Sequence, residues 1–233
     1  VSATDPQDEV WARRAPARAV RAAVLRGVFA PLVAGYAQVA VSGRATLETI
    51  TEPVVFVANH ASHVDTPILL GALPAARRRR TLVGAAADYF YTRRSLAIAV
   101  SLGFGTVPIH RRREAGGGEA PGGLAPLQRL LAEGFSLVLF AEGTRSRTGH
   151  LGEFRPGAAA LAALEHVPLV PVHIAGTGAL MGAGRAWMAR ADPADRRRRH
   201  HVRVDFGAPL RPAEPEAAAS TMDEVRRFMA ACA

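Results

Sequence analysis

The sequence predicts an α/β layered domain: a mixed central sheet flanked by helices, with an N-terminal amphipathic helical segment ahead of it. Two observations predict it. Short apolar runs bounded by turn residues alternate along the chain with longer stretches of helical spacing, the pattern of strands and helices packed in layers. The size and composition also suit one such domain. A chain of 233 residues can bury a sizeable core, and 49% apolar with 21% charged residues is globular rather than disordered.

The N-terminal segment comes first. Residues 8–30 mix Trp11, Val20, Val24, Leu25, Val28 and Phe29 with Arg13, Arg14, Arg18, Arg21 and Arg26. Positions 20, 24, 25, 28 and 29 fit one helical face that Arg18, Arg21 and Arg26 avoid. That pattern describes a core-packing helix with a solvated basic side, or an interfacial helix on anionic lipid. The apolar stretch Val28 to Val41 holds Pro31, Gly35 and Gln38, and falls short of the roughly 20 apolar residues of a spanning helix. No basic region precedes an apolar run as in a secretory signal. A peripheral or monotopic protein is expected, with residues 1–45 as a basic, membrane-contacting segment and 46–233 as the α/β domain.

Strand signals follow. Val54 to Ala58 is a short apolar run ending at Asn59-His60. Thr81-Leu82-Val83 and Thr106 to Ile109 are weaker, and Ser136 to Phe140 is strong. Leu169 to Ile174 carries Pro171 and follows Pro168, which predicts an edge or a strand end. His201 to Phe206 alternates in the manner of an edge strand. Helices are expected over about 62–73, 85–102, 122–134 and 157–166, and a last one from Thr221. There Thr221 and Glu224 are spaced as a capping box before Val225, Phe228 and Met229. The Gly-rich residues 114–123 read as a surface loop.

Composition narrows the chemistry. All 29 basic residues are Arg, which with the heavy Ala and Gly usage points to a GC-rich bacterial genome. Without Lys there is no Schiff-base or phosphate-loop lysine, while Arg offers a fixed fork for phosphate. The single Cys232 excludes a disulfide framework and a Cys-rich metal site.

Four segments carry chemistry, each at or beside a strand end, where ligands sit in α/β sheets. In Asn59-His60-Ala61-Ser62-His63-Val64-Asp65, a neutral His is a suitable base near pH 7, and a carboxylate on its other ring nitrogen fixes the tautomer. Five residues of helix turn through about 500°, so His60 and Asp65 can meet only if His60 sits in the strand-to-helix turn. Ser62 and Asp65 are spaced as a capping box, although Pro67 is awkward for a helix starting at Ser62. His60, His63 and Asp65 resemble a metal cluster, but a metallo-hydrolase needs further ligands at matched positions. The second segment, Gly105 to Arg113, can bring a guanidinium to a phosphate. The third is Phe140-Ala141-Glu142-Gly143-Thr144-Arg145-Ser146, followed by Phe154-Arg155-Pro156-Gly157. Gly143 permits close backbone approach, Thr144 and Ser146 can hydrogen-bond, and Arg145 can pair with phosphate. Glu142 cannot bind phosphate and is expected to pair with an Arg or receive a hydroxyl. The fourth, Val167 to Ile174, shapes a pocket wall. Gly176-Thr177-Gly178 with Gly182 is off by one from a dinucleotide fingerprint.

In order and together, the four segments resemble the glycerolipid acyltransferase family. Its blocks read Asn-His-x-Ser-x-x-Asp, a strand ending in Arg, Phe-Pro-Glu-Gly-Thr-Arg-Ser, and a Val-Pro-x-x-Pro-Val strand. The match spans residues 59–174. Ala141 stands where Pro is usual, His110 where an acidic residue is often found, and Arg155 for a common Lys. The resemblance implies that His60 is the base, that Asp65 orients it, and that Arg111, Glu142, Gly143, Thr144 and Arg145 form the acceptor-phosphate site. It implies an acyl-CoA or acyl carrier protein donor, a lysophospholipid acceptor and an anionic membrane surface at the cytoplasmic face, with no cofactor, no metal and no nucleic acid. Another lipid or glycoside acceptor is the nearest alternative. From a different class, the +9 charge and the runs Arg77 to Arg80 and Arg196 to Arg199 also fit a non-catalytic basic module for anionic lipid or nucleic acid. Aromatic residues at 6% are too sparse for base-stacking platforms.

Overall fold

The computed structural model describes residues 13–86, 103–109, 124–143, 151–182, 184–185, 187–195 and 197–233. The described helices are α1 (Ala15–Val24), α2 (Ala30–Ala34), α3 (Asp65–Ala72), α4 (Ala75–Arg79), α5 (Ala125–Ala132), α6 (Gly157–Leu164), α7 (Thr177–Met181) and α8 (Ala218–Cys232). The strands are β1 (Ala37–Ser42), β2 (Val55–Ala58), β3 (Thr81–Ala86), β4 (Thr106–Ile109), β5 (Ser136–Phe140), β6 (Leu169–Ala175) and β7 (His200–Phe206). They form one sheet in the order β1-β7-β6-β2-β5-β3-β4. From β6 through β4 neighbouring strands are parallel. β7 is antiparallel to β6, and β1 runs parallel to β7. The expected mixed α/β sheet with flanking helices is the architecture found.

β2 explains the layering. Its five-residue apolar run lies mid-sheet with both faces covered, as parallel strands require. Phe56 and Ala58 feed a core with Leu69 and Leu73 of the α3 region and Leu25 and Val33 of the N-terminal helix. Val55 and Val57 feed the opposite core with Leu131 of α5, Leu161 of α6 and Val225 of α8. Each fully buried Leu or Phe contributes about 1.5–3 kcal/mol.

Several elements differ from expectation. β6 is internal, between β7 and β2, and Pro171 is tolerated because it faces the end of β7. There the Gly207 N–H donates to the Pro171 carbonyl at 2.9 Å, and the missing proline donor leaves one ladder bond unmade. β7 is not an edge either, because β1 covers it. β3 runs through Ala86, so residues 85–86 of the expected 85–102 helix are strand; Gly103 and Phe104 are helical, and 87–102 lie outside the described residues, as does the 114–123 loop. α8 starts at Ala218, and the Thr221 hydroxyl donates to the Ala217 carbonyl at 2.9 Å instead of capping.

The N-terminal helix packs one side on the core and leaves apolar residues exposed on another. A π-turn at Leu25–Phe29 separates α1 from α2. In a straight α-helix, residues four apart drift about 40° round the axis; the wider π-turn reverses that drift. Ala17, Arg21, Leu25 and Val33 therefore all face inward, while Val20 and Val28 are exposed. Arg21, expected on the solvated side, is buried against Gly105. Gly105 has φ +68°, and a Cβ there would lie 2.7 Å from the Arg21 guanidinium carbon. Burial, with the neighbouring Arg18 charge, lowers the Arg21 pKa to about 10. The boundary expected at residue 45 falls just beyond β1, so the first 45 residues supply an edge strand as well as the helix.

Candidate active site

His60 and Asp65 meet at the carboxyl end of β2. α3 begins at Asp65, so residues 59–64 form the turn that five residues of helix would not allow. The expected start at Ser62 gives way because the capping runs backward: Asp65 Oδ2 accepts from the N–H of Ala61 at 2.8 Å and of Ser62 at 2.7 Å. Pro67 then falls in the first turn, where its missing N–H costs nothing. The Ser62 hydroxyl accepts from the Val64 N–H at 3.3 Å and donates to the Met181 carbonyl at 2.5 Å, tying the turn to the end of α7.

The same Oδ2 lies 2.8 Å from His60 Nδ1. Asp65 is fully buried, while the His60 side chain keeps 16% exposure. Among the described residues Asp65 Oδ1 is buried without a hydrogen-bond partner. With a carboxylate on Nδ1, that nitrogen carries the proton and Nε2 presents a lone pair. The ring is also held face-on: Phe140 at the end of β5 stacks on it, centroids 3.9 Å apart and planes 18° from parallel. This contact follows from register, since Ala58 of β2 pairs with Phe140 of β5.

Asn59 fixes the approach to His60. Its Nδ2 donates to the Ile174 carbonyl at 2.9 Å, and its Oδ1 accepts from the Ile174 N–H at 2.7 Å. The amide thus acts as a further rung between β2 and β6 where β2 has ended. Removing it would leave two buried main-chain groups unpaired, at about 1–3 kcal/mol each.

Glu142 lies just beyond β5. Its described partners are the backbone N–H groups of Gly152 and His60; the expected Arg or incoming hydroxyl is not among them. Burial raises its pKa above the usual carboxylate value, against the pull of those two hydrogen bonds. A Cβ at residue 152 would stand 2.9 Å from Glu142 Oε2, so a side chain there would displace the carboxylate. Gly143 takes φ +64°, turning the chain at the strand end. The structure thus gathers His60, Asp65, Glu142 and Gly143 at the ends of β2 and β5. Arg111, Thr144 and Arg145 lie outside the described residues. The sequence reading missed Asn59, Ser62, Phe140 and Gly152 as supports; Asn59 and Ser62 carried a signal as members of the first block and Phe140 as a member of the third, and Gly152 carried none.

His60, His63 and Asp65 do not form a three-ligand group. Among the described residues His173, Asp205 and Cys232 do come together, with donor atoms within 4.8 Å of one another. Asp205 there already accepts from Ser42 and Arg203, at 2.7 Å each. Gly176 and Gly178, the near-fingerprint, open α7, with Gly176 at φ +85°.

Known proteins resemble this chain in sequence and fold. A family model described as Acyltransferase matches residues 38–175. A chloroplastic 1-acyl-sn-glycerol-3-phosphate acyltransferase of Brassica napus is 30% identical over 149 residues, 62% of this chain and 39% of that protein. A probable 1-acyl-sn-glycerol-3-phosphate acyltransferase of Mycoplasma genitalium is 30% identical over 126 residues, 54% of this chain and 45% of that one. The matches therefore span well under half the length of these curated relatives. The crystal structure of the 1-acyl-sn-glycerophosphate (LPA) acyltransferase PlsC of Thermotoga maritima superposes with a TM-score of 0.63. It covers 93% of this chain and 78% of that one at 20% identity, a likeness of fold. Because the family model covers more than half of the 233 residues, the chain belongs to the acyltransferase family and is 1-acyl-sn-glycerol-3-phosphate acyltransferase-like.

Proposed function

We propose that this protein is an O-acyltransferase that moves a fatty acyl group from acyl-CoA or acyl carrier protein to the hydroxyl of 1-acylglycerol-3-phosphate, giving phosphatidic acid. The observation that carries the reading is the 2.8 Å contact of His60 Nδ1 with buried Asp65, which frees Nε2 at a strand end. Nε2 takes the acceptor hydroxyl proton as the oxygen attacks the thioester carbonyl. The resulting oxyanion collapses, the carbon–sulfur bond breaks, and the proton held by His60 passes to the leaving thiolate. Asp65 stabilises the imidazolium between these steps. No covalent acyl-enzyme is needed.

Arg111, Gly143, Thr144 and Arg145 hold the acceptor phosphate, and Glu142 anchors their loop to the His60 backbone. No helix among the described residues is long and apolar enough to cross a membrane. The exposed Val20 and Val28 and the flanking arginines of residues 1–45 suit peripheral contact with an anionic membrane at its cytoplasmic face. Residues 46–233 carry the catalytic machinery.

The test is thiol release from acyl-CoA across a panel of lysophospholipid acceptors. Release should depend on 1-acylglycerol-3-phosphate, and His60→Ala should abolish it while the fold survives. Full activity in His60→Ala would remove the assignment.

A further inference from the structure

The run Arg196 to Arg199 lies on a connection to which the catalytic reading gives no role. Residues 182–199 join α7 to β7 and carry six Arg against two Asp. Both aspartates are turned into the loop itself. Asp192 Oδ1 accepts from the Ala194 N–H and Asp195 Oδ1 from the Arg197 N–H, at 2.9 Å each. Asp192 also pairs with Arg198 at 3.6 Å. Arg185, Arg197 and Arg199 are exposed, while Arg196 lies outside the described residues. The outer face of the connection is therefore basic.

Trp187 stands on this connection. At 59% it is the most exposed large apolar residue among those described. The surrounding contacts hold it out. Met188 is buried, the Ala189 N–H donates to the Leu180 carbonyl at 2.7 Å, and His200 Nε2 lies 3.1 Å from the Ala189 carbonyl. The main chain beside the indole is thus fixed to α7 and to the start of β7, with Met188 filling the inward place. The indole Nε1–H donates to Tyr36 Oη at 3.4 Å, and the Arg190 guanidinium carbon lies 5.1 Å from the centre of the Tyr36 ring. His200 directly follows Arg199, so its contact with Ala189 brings Arg199 to the same patch. The patch lies at the His60 end of the sheet. The Tyr36 carbonyl accepts from the His200 N–H at 2.9 Å, where β7 starts. Because β7 is antiparallel to β6, that start meets the carboxyl end of β6, beside which β2 delivers His60. An indole held in water among guanidinium groups suits a boundary between hydrocarbon and anionic headgroups. The ring enters the apolar side, the N–H stays in the wet layer, and each guanidinium fork meets a phosphate.

We infer that Trp187, held by Tyr36 and flanked by Arg190 and Arg199, is an anchor that enters the headgroup boundary of an anionic lipid bilayer and turns the His60 end of the sheet toward it. The inference rests on the peripheral membrane contact proposed above, and adds a second contact from a separate part of the chain.

The experiment uses the full chain, whose two tryptophans are Trp11 and Trp187. Trp11→Phe leaves Trp187 as the single indole fluorophore. Vesicles of phosphatidylcholine doped with phosphatidylglycerol should shift its emission to the blue, and brominated acyl chains in those vesicles should quench it. In co-sedimentation, Trp187→Ala should lose roughly tenfold or more in partitioning. Arg190→Gln/Arg199→Gln should lose roughly fivefold or more on the doped vesicles at low salt, and little on phosphatidylcholine alone. Arg226→Gln/Arg227→Gln makes the same charge change at exposed positions of α8 and should change little. Equal loss in the two arginine pairs reduces the effect to net charge and overturns the patch. Sedimentation of the parent with Trp187 emission unshifted and unquenched overturns the anchor and leaves the N-terminal contact standing, whereas no sedimentation at all overturns both. A blue shift with acidic acyl carrier protein and none with vesicles assigns the surface to a protein partner and overturns the lipid reading. Thiol release with a short-chain soluble acceptor should persist in Trp187→Ala, and release with a vesicle-borne acceptor should fall. Collapse with the soluble acceptor would place Trp187 in the catalytic pocket and overturn the inference.

Discussion

At the scale of single residues, one oxygen carries the site. Asp65 Oδ2 accepts from His60 and from two backbone N–H groups, so the carboxylate that orients the base also shapes the turn holding it. An amide in its place keeps the geometry and removes the charge. In Asp65→Asn the amide oxygen can keep all three bonds, with the NH₂ group in the place of the partnerless Oδ1. The imidazolium that forms on proton transfer then has no carboxylate to stabilise it. The expected result is a fall in kcat of about 10⁴-fold with little change in KM, as for the corresponding exchange in a Ser-His-Asp triad. A kcat within tenfold of the parent would show that Asp65 acts through the fold alone. Of this site, the His60–Asp65 pair was legible because both groups lie in one short segment. Phe140 and Gly152 were not, since their contacts depend on strand register and on where the chain returns after Gly143.

At the scale of elements, legibility followed burial. β2 and β5 announce themselves as apolar runs because both faces are covered. β1 does not, since Gln38 to Ser42 are all exposed and Ala-Gln-Val-Ala-Val-Ser carries little strand signal. α3 and α8 were placed three residues off, in opposite directions, because Ser62–Asp65 and Thr221–Glu224 look like capping boxes and neither caps a helix. The two glycines that open α7 show how different identical residues can be. Gly176 takes φ +85°, and a Cβ there would lie 2.1 Å from the His201 carbonyl oxygen. Gly178 lies within α7 with open space around its Cα. Gly176→Ala should therefore destabilise by about 1–3 kcal/mol or more, since backbone must move. Gly178→Ala should be neutral or stabilising by up to about 1 kcal/mol through helix propensity. Thermal midpoints of the pair check this; equal effects would contradict the contact at Gly176.

At the scale of the whole molecule, the reversal of direction at β7 sets a second polar centre against the back of the sheet. The parallel strands bring the carboxyl ends of β2 and β5 together at one end of the sheet, where His60 sits. β7 turns against them and brings Asp205 beside His173 of β6, with Ser42 of β1 donating to the same carboxylate. Arg203 also donates to Asp205, and to the carbonyl of Cys232, so three strands and the end of α8 close on one group. His173 is buried there with its Nδ1 3.7 Å from Asp205, too far for a hydrogen bond. Burial pushes its pKa below 6.5, outweighing the pull of Asp205. The sign of the consequence is fixed by linkage. The unfolded chain binds this proton near pH 6.5, whereas the folded protein resists it to a lower pH. The unfolded state therefore takes up more protons in that window, and stability falls as pH drops below about 6.5 and is fully present above it. His173→Gln removes the titrating group and leaves the other seven histidines unchanged. Between about pH 7 and pH 5 its thermal midpoint should decline less steeply than that of the parent. Parallel declines would mean that His173 is solvated enough to titrate alike in both states, and that the β6–β7 junction is open to water.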